Sequence, residues 1–372
     1  VSDLSGEREK IEALAHVAFV LTLASVGSCT AAISEAQPLR NSAHGVSATS
    51  VPSVVDGVAE DRRLAARARS AAHWSTPEII SLPSGDFFMG TSSDGVEHAR
   101  FLCERETATH FALAWRCAGL LDSLEGAALG PLCDRSNFEF VTFREEGEHV
   151  VFLNAYLMDR TEVSVRNYWQ CVSDGACTEV RVLPGSVPLG ASDHPVVGVS
   201  WYQAREYCRW RHGRLPSEAE WERGARGRDG RIFPWGNQFN PRLANVGMTS
   251  ATCLSSADGY DYTAPVDSFR DGRSVDGFVN MSGNVAEWVD DIFDDGPEDP
   301  ATHRPQWRNS RSRYHADIRI INPHVTEARD DRRVFRGGSF ASQSFQARTT
   351  FRARISAGEQ VQWLGFRCAY DQ

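Results

Sequence analysis

One stretch constrains this chain more than any other: Asp193 to Asn237, DHPVVGVSWYQAREYCRWRHGRLPSEAEWERGARGRDGRIFPWGN. Its element boundaries are marked by residues with specific physical roles. Val196, Val197 and Val199, β-branched around Gly198, predict a short buried strand. Ser200 with Gln203 has the spacing of a capping box, in which each side chain satisfies the other residue's orphan amide at a helix start. Trp201, Ala204, Tyr207, Cys208 and Arg211 then fall on one helical face, the arginine through its aliphatic stem. Gly213 predicts the stop, and Pro216 forbids continuation. Ser217 with Glu220 is a second capping box, opening a helix that carries Trp221.

Composition narrows what surrounds this element. The chain has 372 residues, enough for one large domain with appendages or for two domains. Aromatic content of 10%, with ten Trp, can furnish a substantial core. A net charge of −10 excludes a nucleic-acid partner held by a general basic field. Thirty glycines and no long amphipathic repeat favour a loop-rich α+β domain over a helical bundle.

The N-terminal residues 1–29 read as a signal peptide. Ala13 to Val26 is an apolar run too short to span a bilayer comfortably, and Val26-Gly27-Ser28-Cys29 resembles a bacterial lipobox. Export to the bacterial cell envelope as a lipoprotein, anchored in the membrane through Cys29, or secretion, is the expectation. The competing reading is a buried helix of a cytosolic domain. Residues 30–77, rich in Ala, Ser, Val and Arg without steady periodicity, read as a flexible linker to a domain at 78–372.

SWYQAREYCRW, GRLPSEAEWERGARG and FPWGN, followed by TAPVDSF, NMSGNVAEWVDD, RVFRGGSF and LGFRCAY, resemble the sulfatase-modifying-factor family, whose best-known member is the formylglycine-generating enzyme. The resemblance covers roughly residues 78–372 and implies an irregular, loop-rich α+β fold similar to the C-type-lectin-like folds. IISLPSGDFFMGTSSDG resembles the family's first hairpin. The connection that follows is fairly short in the family and is expanded here at about 98–148, which reads as an insertion carrying Cys103, Cys117 and Cys133.

The resemblance also implies a disulfide between Cys208 and Cys368, worth about 5 kcal/mol in the chain-entropy model because the closed loop is long. Cys171 and Cys177 in QCVSDGAC lie close enough to staple a local loop, worth roughly 2 kcal/mol. Cys103, Cys117, Cys133 and Cys253 leave three pairings open. No CxxC and no His pair has zinc-ligand spacing.

Two oxygen-rich turns resemble the family's calcium sites. The first set joins side-chain oxygens of Asn245 and Asp258 to the carbonyls of Val246 and Tyr260. The second is Asn280, Gly283, Val285 and Glu287. Hard oxygen donors of this kind suit calcium and a structural role. The bland alternative for each is an Asx turn.

The stretch that decides the chemistry is RVFRGGSFASQSFQARTTFRAR, residues 333–354. Formylglycine-generating relatives follow this GGS turn with two copper-binding cysteines spaced five apart. Here those positions are Ser342 and Ala347, the neighbouring His is Gln343, and the first Trp of the Asn-Val-Trp-Glu-Trp pattern is Ala286. A hydroxyl and a methyl are not copper(I) donors, so copper is not expected. A related iron-dependent branch needs HxxxHxE, and none of the eleven His has another four positions later. Ser342 as a nucleophile has no assignable base. Arg348, Arg352 and Arg354 read as solvated faces or salt-bridge partners, and Asp290, Asp291, Asp294 and Asp295 as a solvated acidic loop. The expectation is a non-oxidising pseudoenzyme that binds a peptide, a glycan or an envelope protein through a groove at Ser339, Ser342, Gln343 and Trp288. The alternatives are a cysteine-oxidising enzyme with a non-standard site and an envelope scaffold.

Overall fold

The structure is a computed structural model that describes residues 77–92, 94–105, 147–180, 192–247, 258–260, 262–293, 320–326 and 331–372. All of them belong to one compact unit, residues 58–372. The expected signal peptide with Cys29, the linker up to residue 76, most of the insertion with Cys117 and Cys133, Cys253, Asp294 and Asp295 lie outside the described residues.

The order is β1 (Ile79–Leu82), β2 (Gly85–Met89), helix α1 (94–105), β3 (His149–Leu153), β4 (Tyr156–Asp159), α2 (Val165–Ser173), α3 (Trp201–Trp210), α4 (Glu218–Arg226), β5 (Ala286–Ile292), β6 (Ile320–Ile321), β7 (Arg332–Arg336), β8 (Arg352–Ser356), β9 (Leu364–Phe366) and β10 (Ala369–Asp371). Among the described residues these strands form three small sheets, with orders β1-β4-β10, β2-β3-β6 and β8-β7-β5-β9. The first is antiparallel, while β3–β6 and β5–β9 are parallel pairs. This is the expected α+β, loop-rich architecture.

The organising stretch folds largely as its residues dictate. Both capping boxes form, Ser200 with Gln203 and Ser217 with Glu220. Trp201, Ala204, Tyr207 and Cys208 are buried along one face of α3. Trp221 on α4 stands in the main core with Met158, Phe278, Met281 and Val289. Two local expectations change. Val196, Val197 and Val199 are buried but form no strand, because Gly198 at φ +70° turns the backbone out of β geometry. The stop of α3 falls on His212, at φ 60°, and Gly213 serves close approach instead: a Cβ there would sit 2.5 Å from the Ala369 carbonyl oxygen.

The expected first hairpin also resolves differently. β1 pairs with β4, whereas β2 pairs with β3, so consecutive strands join different sheets. Longer-range ladders override the local turn. Two disulfides tie these parts together, Cys171–Cys177 across the end of α2 and Cys208–Cys368 between α3 and the segment before β10. Cys103 on α1 is disulfide-bonded as well.

Candidate functional site

β7 delivers the chain into Gly337 and Gly338, at φ 92° and 66°, a left-handed pair that only glycine adopts without strain. Space demands glycine too, since a Cβ on Gly338 would lie 2.9 Å from the Gln346 carbonyl oxygen. The turn then closes on itself. Ser342 Oγ accepts from the Ser339 amide at 2.9 Å, and the Ser342 amide donates to the Ser339 carbonyl at 2.9 Å. The two hydroxyls lie 3.3 Å apart, and Ser339 Oγ accepts from the Ala341 amide at 3.2 Å. Gln343 caps a short 3-10 turn, Ser344–Ala347, and its amide donates to Gln346 Oε1 at 2.9 Å.

The expected groove residues therefore separate into two kinds. Ser339, Ser342 and Gln343 share one turn, with both serines buried and Gln343 half-buried. Trp288 on β5 is wholly buried, and its indole donates to the Val199 carbonyl at 3.0 Å, so it supports the fold beneath rather than lining a surface. Ala347 packs with Ala244 and Val246, flanked by Trp235 and Phe239, and its carbonyl accepts from the Ser282 hydroxyl. The donor set fails the test for copper(I): the segment 333–354 contains no sulfur atom, and the Ser342 hydroxyl is already engaged in the turn.

Beneath the turn lies a charged core that sequence reading missed. Glu287 Oε2 accepts from the Trp221 indole at 2.8 Å and from Arg367 Nε at 2.7 Å, while Oε1 accepts from Arg367 Nη2 at 2.6 Å. Both partners of this ion pair are fully buried, at 0% exposure. Glu162 accepts from Asn284 Nδ2 at 2.8 Å and Asn280 Nδ2 at 3.0 Å. Burial above all pushes its carboxyl up to about 8, with Arg367 opposing and Glu287 adding to the rise. Burial likewise lifts Asp159 to about 6. Arg336, just before the glycine pair, bonds Glu222 and approaches Glu218 at 3.2 Å, and Glu218 is also held by Arg352 at 2.5 Å. These groups border a cavity of about 10 Å3, the room one water needs. The sequence cue was present, a charged residue inside an apolar run as in GFRCAY, but its partner lies 80 residues away.

Asp290 and Asp291 correct another expectation. They belong to β5 rather than a solvated loop, and Asp291 is buried, accepting the Glu218 amide at the start of α4 at 2.7 Å. Arg352 is a salt-bridge partner as expected, but Arg348 is buried, with its Nε donating to the Phe345 carbonyl at 2.8 Å.

The two oxygen-rich sets are engaged differently by the protein's own groups. In the first, Asn245 Nδ2 donates to the Tyr262 carbonyl and to Asn284 Oδ1, which turns Asn245 Oδ1 away from both. Asp258 Oδ1 accepts from the Tyr260 amide at 3.0 Å, which is an Asx turn. In the second, Asn280 at φ 57° and Gly283 at φ 78° shape the turn, but the Glu287 carboxylate is bound to Arg367.

A family model described as the sulfatase-modifying factor enzyme 1-like domain matches residues 65–372. The chain is 35% identical over 196 residues to the formylglycine-generating enzyme of Bos taurus, a match covering 50% of this chain and 47% of that protein. It thus spans about half the length of that relative. It is 29% identical over 314 residues to the inactive C-alpha-formylglycine-generating enzyme 2 of Bos taurus, covering 79% of this chain and 88% of that one. Among solved structures, PvdO from Pseudomonas aeruginosa superposes with a TM-score of 0.52 at 21% identity, over 80% of this chain and 95% of that one, a likeness of fold alone.

Proposed function

The chain belongs to the sulfatase-modifying factor family, and we propose that within it this protein is an exported, non-oxidising member that keeps the scaffold and uses the surface around the GGS turn to bind a peptide. One observation carries the non-oxidising part of this reading. The Ser342 hydroxyl is spent closing its own turn, and the Ala347 side chain is a buried methyl packed among apolar neighbours. Neither can hold copper(I) or transfer electrons. The similarity to a relative named as inactive supports the same reading.

The test is turnover. The purified protein is expected to show no copper-dependent conversion of a cysteine-containing sulfatase peptide to an aldehyde, and no tight copper(I) binding in a competition titration. Ser342→Cys combined with Ala347→Cys should restore copper(I) binding without restoring turnover, because Gln343 and Ala286 also differ from the family pattern. Aldehyde formation by the unaltered protein would overturn the reading in favour of an oxidising enzyme.

Calcium belongs to the same proposal, as an ion that pins the loop at Asn245, Val246, Asp258 and Tyr260. A ligand that binds only the folded state raises stability by about 2.7 kcal/mol at a hundredfold excess over its Kd. Chelation should therefore lower the Tm, and Asp258→Ala should remove most of that response. A Tm indifferent to chelator at low free calcium would leave only the Asx turn. Glu287→Ala is the poorer probe, since it also strands Arg367. Export with a lipid on Cys29 completes the reading, and a membrane fraction in which Cys29→Ala partitions like the parent protein would refute the anchor.

A further inference from the structure

Trp201, the first residue of α3, is buried and carries two guanidinium groups against its ring. Arg333 of β7 places its Cζ 3.8 Å from the indole centroid, and Arg205, one turn along α3, lies at 5.1 Å. The ring attracts each cation through its quadrupole, but it has no net charge and neutralises neither. Two like charges gathered on one ring repel each other unless an anion offsets them.

The protein's own carboxylates supply little of that offset. Among the described residues Arg205 has no hydrogen-bond or ion-pair partner. Arg333 spends Nη1 on the Asp290 carbonyl oxygen at 2.8 Å, and its Nε is buried without an acceptor. The Asp290 carboxylate is already engaged, with Oδ2 at 3.0 Å from His324 Nε2. Asp291, next along β5, accepts the Glu218 and Val325 amides, and burial with Glu218 nearby pushes its carboxyl up to about 7. It therefore carries only part of a charge near neutrality. Arg333 is itself held below the usual arginine range, by burial first and with Arg205 adding to the effect, against Asp290 and Tyr202. Solvent reaches the cluster from one side, where Tyr202 is 51% exposed with its ring edge-on to Trp201 at 5.4 Å.

We propose that Arg205 and Arg333, with Tyr202 beside them, form a binding site for a phosphate monoester. The match is one of charge and shape. A phosphate monoester carries a charge of about −1.5 to −2 at pH 7, which two guanidinium groups offset. Its several oxygens also suit the forked donors of arginine. A carboxylate, with a single charge, leaves half of the excess in place. Tyr202 adds a hydroxyl and an exposed ring at the rim. None of these residues belongs to the GGS turn, and the inference stands whether or not that turn binds a peptide.

The experiment is isothermal titration calorimetry on the full chain with sodium phosphate, phenyl phosphate and sodium acetate, in phosphate-free buffer at one ionic strength. Both phosphates should bind, and acetate should bind about tenfold more weakly or not at all. Arg205→Gln should weaken phosphate binding by about tenfold or more, the loss of one charge-assisted contact. Asp290→Asn should act in the opposite direction and tighten it several-fold, because it removes the competing negative charge and keeps a hydrogen-bond partner for His324. Opposite shifts from two neighbouring substitutions do not arise from a general loosening of the fold. Arg209→Gln, exposed on the same helix, should leave the Kd at the parent's value. Unchanged phosphate affinity in Arg205→Gln, no tightening in Asp290→Asn, or acetate binding as tightly as phosphate would each overturn the site. Binding of inorganic phosphate with phenyl phosphate excluded would overturn the monoester in favour of the free ion.

Discussion

Arg367→Met should destabilise the domain by about 3–5 kcal/mol, read as a lowered urea midpoint. The guanidinium is fully buried and donates to both Glu287 oxygens, to the Val279 carbonyl at 3.0 Å and to the Arg160 carbonyl at 2.9 Å. Removing it leaves the Glu287 carboxylate in the interior with the Trp221 indole as its remaining named donor. An uncompensated buried charge costs far more than the lost pair is worth, because desolvation is no longer offset. The double variant Arg367→Met with Glu287→Leu should recover a large part of the loss, since neither member of the pair is then left as an unpaired buried charge. It should remain below the parent, because Trp221 loses its acceptor. A single-variant loss below about 1 kcal/mol would mean that the pair is solvated like a surface bridge.

Replacing both members of the long bridge, Cys208→Ala with Cys368→Ala, should cost about 5 kcal/mol, since the closed loop spans 160 residues. The equivalent change at Cys171 and Cys177, six residues apart, should cost roughly 2 kcal/mol. Both values come from the entropy an open chain regains on unfolding, so the contrast between the two is the sharper test. Denaturant midpoints of the two double variants, compared at equal m-value, measure it. Peptide mapping without reduction should recover the EYCRW and GFRCAY fragments linked. Equal destabilisation by the two variants would show that loop length is not what the long bridge acts through. Cys208 and Cys368 are both at 0% exposure, so reductants should reach them only after the domain opens.

What the sequence determined by itself has one physical character. Both capping boxes, the buried face of α3 and the Cys171–Cys177 staple depend on groups within a few residues of one another. Local backbone geometry brings such groups together whatever the rest of the chain does. The Cys208–Cys368 bridge and the α+β class were legible by another route, through resemblance of ordered motifs. The loss of the copper ligands was legible simply as residue identity at Ser342 and Ala347.

Only the tertiary structure decided the rest. β1 and β2 look like one hairpin but feed separate sheets, because their ladders to β4 and β3 outweigh a short turn. The valines around Gly198 carry β propensity, yet a left-handed glycine makes them buried loop. Asp291 reads as a solvated acid and instead caps α4 from 73 residues away. Trp288 looked like a groove residue and is core. The seat of α1 on Phe345 follows the same logic, since an apolar stripe on a helix says that a face is buried but not against what. Periodicity and caps are properties of a dozen residues. A charge's partner, a strand's neighbour and a helix's seat are chosen by packing across the whole domain, where desolvation and close approach outweigh local preference.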